Sequence, residues 1–130
     1  MPNLRECSDS LLSVTTIADL SVEDETTLYI VPVDKTCILT KALLKVDGDV
    51  GNTADVSIGQ NGAETDFIPS TDLDIANAAS DVILLAPIPS ATPTIARKEY
   101  TSGEYIKFDV INAGNAVAAT CYLFGIVDDE

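Results

Sequence analysis

Apolar and polar residues alternate with a period of two along much of this chain, which is typical of half-buried β-strands. Residues 104–110 show the pattern most clearly, with Ile106 and Phe108 on one face and charged residues between them. Residues 53–58 alternate in the same way and place Ser57 on the polar face. Both segments predict antiparallel strands that bury one face and leave the other in water.

Two longer blocks predict β-hairpins. Residues 27–39 contain a β-rich run, a turn at Val33-Asp34-Lys35 directly after Pro32, and a second β-rich run. Residues 103–123 repeat this plan around the turn Asn112-Ala113-Gly114-Asn115. β-branched and aromatic residues on both sides of Gly, Pro, Asn or Asp are the signature of antiparallel strands joined by a turn. We therefore expect each block to fold back on itself.

Residues 36–46 fit two patterns. Ile38, Ala42, Leu44 and Val46 alternate as they would in a strand, but a similar set of apolar residues also fits one face of a helix. Turn-forming Asp, Gly and Asn residues follow directly, and the segment continues the first predicted hairpin. These neighbours favour a strand.

The remaining turn signals divide the rest of the chain into short elements. Further strands or edge pieces are predicted at 26–31, 67–69, 82–86 and 117–127, with a loop at 59–62. An alanine-rich stretch at 73–79 fits one or two helical turns, and the proline-rich residues 87–93 fit an exposed loop or a sheet edge. About eight strands with little helix predict an all-β fold, namely an antiparallel β-sandwich or jelly roll with an extended N-terminal arm.

The N-terminal segment differs from the rest of the chain. Residues 1–25 are polar and acidic, and we expect an arm or a first strand there, followed by a β-sandwich domain over 26–130. A short apolar patch within this segment consists of Leu11, Leu12, Val14 and Ile17.

The last predicted strand is apolar on both faces, since Tyr122, Phe124 and Ile126 alternate with Cys121 and other small apolar residues. Such a strand lies in the centre of a sandwich or is covered by a neighbouring subunit. The N-terminal patch together with Tyr122, Phe124 and Ile126 forms a candidate protein interface.

Charge limits the partners of this protein. The chain has 130 residues with 21 Asp and Glu against 7 Lys and Arg, a formal net charge of −14. This excess disfavours direct contact with nucleic acid or an anionic membrane, whereas salt tolerance and recognition of a basic partner both remain open. Neither a signal peptide nor a membrane span is predicted, so we expect synthesis in a cytoplasm.

The three cysteines, Cys7, Cys37 and Cys121, are too scattered for a disulfide framework or a paired metal motif. Cys37 and Cys121 lie in apolar runs and are interpreted as buried hydrophobic residues. A bridge between these two would require neighbouring strands.

Catalytic signals are weak. The chain has no histidine, which removes the usual general base and the commonest metal ligand. A glycosidase with two carboxylates remains conceivable, but there is no tryptophan to stack on a sugar. Asp47, Asp49 and Asn52 have a spacing that could supply oxygen ligands to calcium, and a turn explains them equally well. No catalytic, cofactor-binding or metal-binding residue is predicted.

Parts of the sequence resemble small structural proteins of tailed phages and related viruses. The block Thr27-Leu28-Tyr29-Ile30-Val31-Pro32-Val33-Asp34-Lys35-Thr36 is similar to their strand ending in Tyr-x-Val-Pro, and Gly103-Glu104-Tyr105-Ile106-Lys107-Phe108 is similar to their later turn and strand. The similarity extends loosely over residues 26–127.

The resemblance implies a non-enzymatic virion protein, either a capsid decoration or head-surface protein or a tail or baseplate piece. It implies binding to the major capsid protein or another virion protein, often as a homotrimer, with residues 1–25 as an arm across the shell. A different hypothesis is a carbohydrate-binding or adhesin sandwich. This would need exposed aromatic residues around a groove, and the available tyrosines are Tyr29, Tyr100, Tyr105 and Tyr122.

Overall fold

The computed structural model describes residues 10–74, 76–85 and 99–129. These residues form nine antiparallel strands in two sheets, so the all-β prediction is confirmed with one strand more than expected. In chain order the strands are β1 (Ser10–Ile17), β2 (Glu25–Ile30), β3 (Lys35–Val46), β4 (Asp55–Gln60), β5 (Ala63–Asp72), β6 (Val82–Leu85), β7 (Glu99–Thr101), β8 (Tyr105–Asn112) and β9 (Ala119–Asp129).

The sheets have the arrangement of a jelly roll. One sheet, called here the β1 sheet, has the order β1-β9-β3-β6, with β7 also paired to β3. The other, called the β2 sheet, has the order β2-β8-β4-β5. β1 pairs with β9, β2 with β8, β3 with β6 and β7, and β4 with β5. This order results when one long antiparallel hairpin winds around a common core.

Both predicted hairpins are wrong in their pairing. The chain turns where expected, at Asp34 with a φ of 63° and at residues 112–115, but each turn carries the chain from one sheet to the other. The two blocks pair with each other instead, β2 with β8 and β3 with β9. Strand propensity and turn residues show where a chain reverses; they do not show whether the next strand joins the same sheet or the opposite one.

The hairpin of the β2 sheet lies where only a loop was predicted. β4 and β5 are joined by the two residues Asn61-Gly62, with Gln60 opposite Ala63 and Gly62 at a φ of +90°. An Asn-Gly pair between two strands is a strong signal for a tight hairpin, and here the glycine alone adopts a positive φ.

The core lies between the sheets and is made by alternating side chains of both. Leu39, Leu44 and Leu123 of the β1 sheet and Ile58 and Phe108 of the β2 sheet are fully buried. The strand interpretation of 36–46 is therefore confirmed, and so is the inward face of residues 104–110. No helix long and apolar enough to cross a membrane occurs in the described residues.

The polar face predicted for residues 53–58 is exposed only in part: Thr53 is exposed and Asp55 is half-buried, but Ser57 is completely buried. The start of β5 folds over β4 at Gly59, where a Cβ atom would lie 2.4 Å from the carbonyl oxygen of Ala63. Because alternation reports only the faces of a single strand, it could not predict that another segment covers this one.

The helical turns predicted for 73–79 are also wrong as far as this stretch is described. The amide of Ala76 donates to the carbonyl of Leu73 in an isolated turn, whereas the amides of Asn77 and Ala78 donate to the carboxylate of Asp81. The Asp81 side chain thus takes the donors that a helix would have used. The predicted strand at 82–86 is β6, and the proline-rich residues 87–93 lie outside the described residues.

Candidate interaction surface

The outer face of the β1 sheet carries rows of apolar side chains that run across its strands. In one row Val14, Tyr122, Leu43 and Leu84 are consecutive register partners on β1, β9, β3 and β6. Val14 is 54% exposed and Leu84 60% exposed. A contiguous apolar patch of this kind on a soluble protein marks an interaction site more often than a single exposed residue does.

The neighbouring rows add further apolar groups and two lysines. Leu11 and Lys41 flank Phe124, and the Lys41 Nζ lies 5.0 Å from the centre of the Phe124 ring, a cation–π contact. On the other side of the first row, Lys45 is the register partner of both Thr120 and Val82.

We call this surface the β1-sheet outer face. Its members all point away from the core, and they are Leu11, Val14, Thr16, Ile38, Lys41, Leu43, Lys45, Val82, Leu84, Thr120, Tyr122, Phe124 and Ile126. No carboxylate occurs in β1, β3, β6 or residues 119–127. Glu99 on β7, the register partner of Ile38, and Asp128 at the end of β9 add carboxylates at one end of the sheet, so only the centre of this face is apolar and cationic.

Five of the seven candidate interface residues belong to this face, namely Leu11, Val14, Tyr122, Phe124 and Ile126. The other two point inward. Ile17 is only 3% exposed and belongs to the core, and Leu12 packs against the core at a bulge in β1, with its Cδ1 over Gly125. Ile17 is therefore not accessible to a partner in this fold. Sequence reasoning missed Leu43 and Leu84 because the pairing of β3 with β9 and β6 could not be predicted.

The outer face of the β2 sheet has the opposite character, and we call it the β2-sheet outer face. Glu25 and Asp109 are register partners, and the carboxyl group of Glu64 forms a hydrogen bond with that of Glu25. This bond and the nearby negative charges raise the pKa of Glu25, while burial and the charge of Glu64 raise the pKa of Asp109. Lys107 lies between them and also approaches the ring of Tyr105, at 5.9 Å.

The candidate calcium ligands Asp47, Asp49 and Asn52 lie in the connection between β3 and β4. Asp49 Oδ1 accepts a hydrogen bond from the amide of Gly51 at 2.9 Å, and the Asp49 carbonyl accepts one from the Asn115 side chain at 3.0 Å. These bonds stabilise a turn, in line with the interpretation that needs no ion. Within the described residues no group of three or more acidic or cysteine side chains is arranged to hold a metal ion.

A small open cleft lies between the β1–β2 connection and β8, and its lining includes Ile17, Val22, Thr26 and Val110. Its volume of about 190 Å³ is below the range of about 300–1,000 Å³ that small-molecule sites occupy. The carboxylate of Asp19 at its edge accepts hydrogen bonds from the amide and the hydroxyl of Ser21, which lower the pKa of Asp19. Asp24 also lines the cleft, which is nevertheless smaller than a usual small-molecule site.

The tyrosines do not form a sugar-binding groove. Tyr100 is buried, and Tyr29 packs against the core. Tyr105 and Tyr122 lie on the outer faces of different sheets. The aromatic platform that a carbohydrate-binding sandwich requires is therefore not formed by these residues.

No family model matches this chain, and no curated protein matches it in sequence. Solved structures do match its fold. A chain in the acidic stable capsid structure of Helicobacter pylori bacteriophage KHP30 has a TM-score of 0.58 at 18% identity, covering 94% of this chain and 94% of that one. A chain in the capsid asymmetric unit of cyanophage Pam1 has a TM-score of 0.52 at 13% identity, covering 92% of this chain and 84% of that one. The N-terminal cellulose-binding domain of Cellulomonas fimi β-1,4-glucanase C reaches a TM-score of only 0.36 at 16% identity, over 90% of this chain and 77% of that domain.

Proposed function

We propose that this chain is a non-enzymatic structural protein of a phage or related virus, and specifically a capsid decoration or stabilising protein that binds the lattice of major capsid protein. The observation that carries the proposal is the fold match to chains of two phage capsid structures over more than nine-tenths of this chain. The jelly roll is an architecture that capsid proteins commonly use.

The surfaces of the molecule support a binding role. The cleft beside β8 is smaller than a usual small-molecule site, and the apolar patch on the β1-sheet outer face suits contact with protein. The net charge of −14 disfavours contact with packaged nucleic acid or with a membrane. In this proposal the partners are other virion proteins and further copies of the chain, with a homotrimer favoured.

The test is whether the protein becomes part of particles. The chain would be co-expressed in the cytoplasm of a bacterial host with the major capsid protein encoded by the same genome, and assembled shells would be separated on a density gradient. The proposal predicts that the protein sediments with shells in many copies and adds ordered density to their surface in electron cryomicroscopy. Gradient fractions in which shells and this protein separate completely would overturn it.

A decoration protein should also stabilise its shell, because a ligand that binds only the assembled state shifts the equilibrium towards that state. Shells with bound protein are therefore expected to withstand a higher temperature or denaturant concentration than bare shells. An unrelated acidic protein of similar size, added at the same concentration, is the control for non-specific effects of charge.

A further inference from the structure

The two outer faces of the sandwich have opposite charge. The β1-sheet outer face carries Lys41 and Lys45 among apolar side chains and no carboxylate on the strands that form its centre. The β2-sheet outer face carries Glu25, Glu64 and Asp109 around a single lysine. The two faces lie on opposite sides of one core, so a single molecule cannot bring them together.

We propose that the β1-sheet outer face of one copy docks on the β2-sheet outer face of the next copy, so that the chain associates with itself head to tail. The occupant of the apolar face is thus a second copy of this chain, and complementary charge selects it. This contact goes beyond the proposed virion role and does not depend on it.

Charge also decides between the two kinds of homomeric contact. A two-fold contact would place two β1-sheet outer faces against each other and bring the lysines of both copies together. Like charges that face one another across an interface are repulsive, whereas the head-to-tail contact places lysines over carboxylates. Lys35 contributes little to this balance because it forms a salt bridge with Asp129 at the end of the β3–β9 ladder.

The electrostatics of the β2-sheet outer face support the same partner. Glu25 and Asp109 both have a raised pKa, and the negative charge of Glu64 is a cause in each case. The repulsion between these carboxylates is therefore not fully neutralised by Lys107 within one molecule. A cationic face laid over them would relieve it. The exposed Ile30 and Tyr105, which are register partners, give this face an apolar edge to contact the partner.

The size of the contact indicates a series of repeated contacts rather than an isolated pair. Four strands about 4.8 Å apart and about eight residues long give a face of about 500 Å². Two such faces bury about 1,000 Å², which is below the range of about 1,200–2,000 Å² that stable complexes bury. A copy that makes both contacts buries twice this area, and because its two faces point in opposite directions the contacts extend as an open stack of copies.

Two variants with one altered face each test the contact. Lys45→Glu changes the β1-sheet outer face and Glu25→Lys changes the β2-sheet outer face. Sedimentation velocity at low salt, over a range of concentrations, should show that wild-type protein associates and that each variant alone has an apparent dissociation constant about tenfold higher. Asp74→Lys, on an exposed loop after β5, matches the charge change of Glu25→Lys and should associate like wild type.

Mixing the two variants identifies the geometry. Each variant keeps the face that the other has lost, so an equimolar mixture should form one-to-one pairs at concentrations at which each variant alone is monomeric. Circular dichroism and a thermal melt confirm that each variant is folded. The proposal is overturned if wild-type protein is monomeric at every concentration, if Glu25→Lys alone associates like wild type, or if the mixture stays monomeric. These outcomes are distinct from failure of the protein to bind capsid shells.

Discussion

Tyr100 donates a hydrogen bond from its hydroxyl to Asp66 Oδ1 at 2.8 Å, and this bond joins the two sheets. Tyr100 lies on β7, which pairs with β3 at one edge of the β1 sheet, and Asp66 lies on β5, the edge strand of the β2 sheet. The ring of Tyr100 is fully buried, and burial together with the hydrogen bond to Asp66 raises its pKa. The phenol is therefore protonated at neutral pH and acts as a donor.

Tyr100→Phe should lower the free energy of unfolding by about 1–2 kcal/mol, because it removes a buried hydrogen bond without changing the packing of the ring. The Asp66 carboxylate would keep the amide of Gln60 as a donor, at 3.1 Å. Urea unfolding followed by circular dichroism measures the change. Tyr105→Phe is the matched control, since Tyr105 is 45% exposed and its loss of a hydroxyl should change little. Equal stability of the two variants would contradict the importance of the bond.

The two described cysteines do not meet, although their strands are neighbours. Cys37 lies opposite Val127 and Cys121 lies opposite Leu44, so the two are separated along the β3–β9 ladder by roughly 20 Å. A disulfide requires Cα atoms within about 7 Å. β3 and β9 are neighbours, as a disulfide between these cysteines would require, but their register places the two thiols too far apart to form it. Both thiols are free and buried, as expected for small core residues.

Cys37 and Cys121 should therefore be inert in the native protein. Burial raises the pKa of Cys37 to about 11 and that of Cys121 to about 12, so both are protonated at pH 8 and closed to solvent. A thiol reagent at pH 8, followed by mass mapping, should label these two sites at least about a hundredfold faster in 6 M urea than in buffer. Rapid labelling of either site under native conditions would contradict its burial.

The fold class could be predicted from the sequence because alternation reports burial strand by strand. The topology could not, because an arch between sheets and a hairpin within one sheet use similar turn residues. Asp34 has a φ of 63° in the arch between β2 and β3, and Gly62 has a φ of +90° in the hairpin between β4 and β5. The two connections differ in the number of residues between their strands. Two residues close the hairpin, whereas the arch at Asp34 spans four residues from Val31 to Asp34.

The Asn61-Gly62 turn gives a direct test of this hairpin. Gly62→Ala should cost about 1 kcal/mol, because an alanine at positive φ is strained even though no atom lies within 4 Å of the new Cβ. Gly62→Asn fills the same open space but tolerates positive φ better, so it should cost less. Thermal melts of the two variants measure the difference. If alanine is tolerated as well as asparagine, the turn does not require positive φ at this position.

The sequence indicated the outward direction of some candidate interface residues but not the inward direction of others. β9 is apolar on both sides, whereas a strand with one face in water would carry polar residues on that face. For this reason Phe124 and Tyr122 could be proposed as contacts for a partner. Ile17 could not be excluded, because a short patch in a polar segment does not reveal which of its residues point inward. Only the register of β1 with β9, which places Ile17 opposite the buried Ala119, decides this.

Asp109→Asn should stabilise the protein at neutral pH. The pKa of Asp109 is raised above its ordinary value of 3.8 by burial and by Glu64, Asp24 and Glu23, so between these two pKa values the folded state binds more protons than the unfolded state. Stability therefore falls as the pH rises through this window, and the penalty is fully present at pH 7. Replacing the carboxylate with a neutral amide removes the penalty, which for a partly exposed group is at most about 1 kcal/mol.

The pH dependence distinguishes this electrostatic effect from a change in packing. The melting temperature of Asp109→Asn should exceed that of wild type at pH 7, and the advantage should disappear at about pH 3, where the native carboxyl group is itself protonated. Asp74→Asn removes a charge of the same sign from an exposed loop and should raise the melting temperature less. A constant difference between Asp109→Asn and wild type at both pH values would mean that the side-chain amide acts by packing or hydrogen bonding instead.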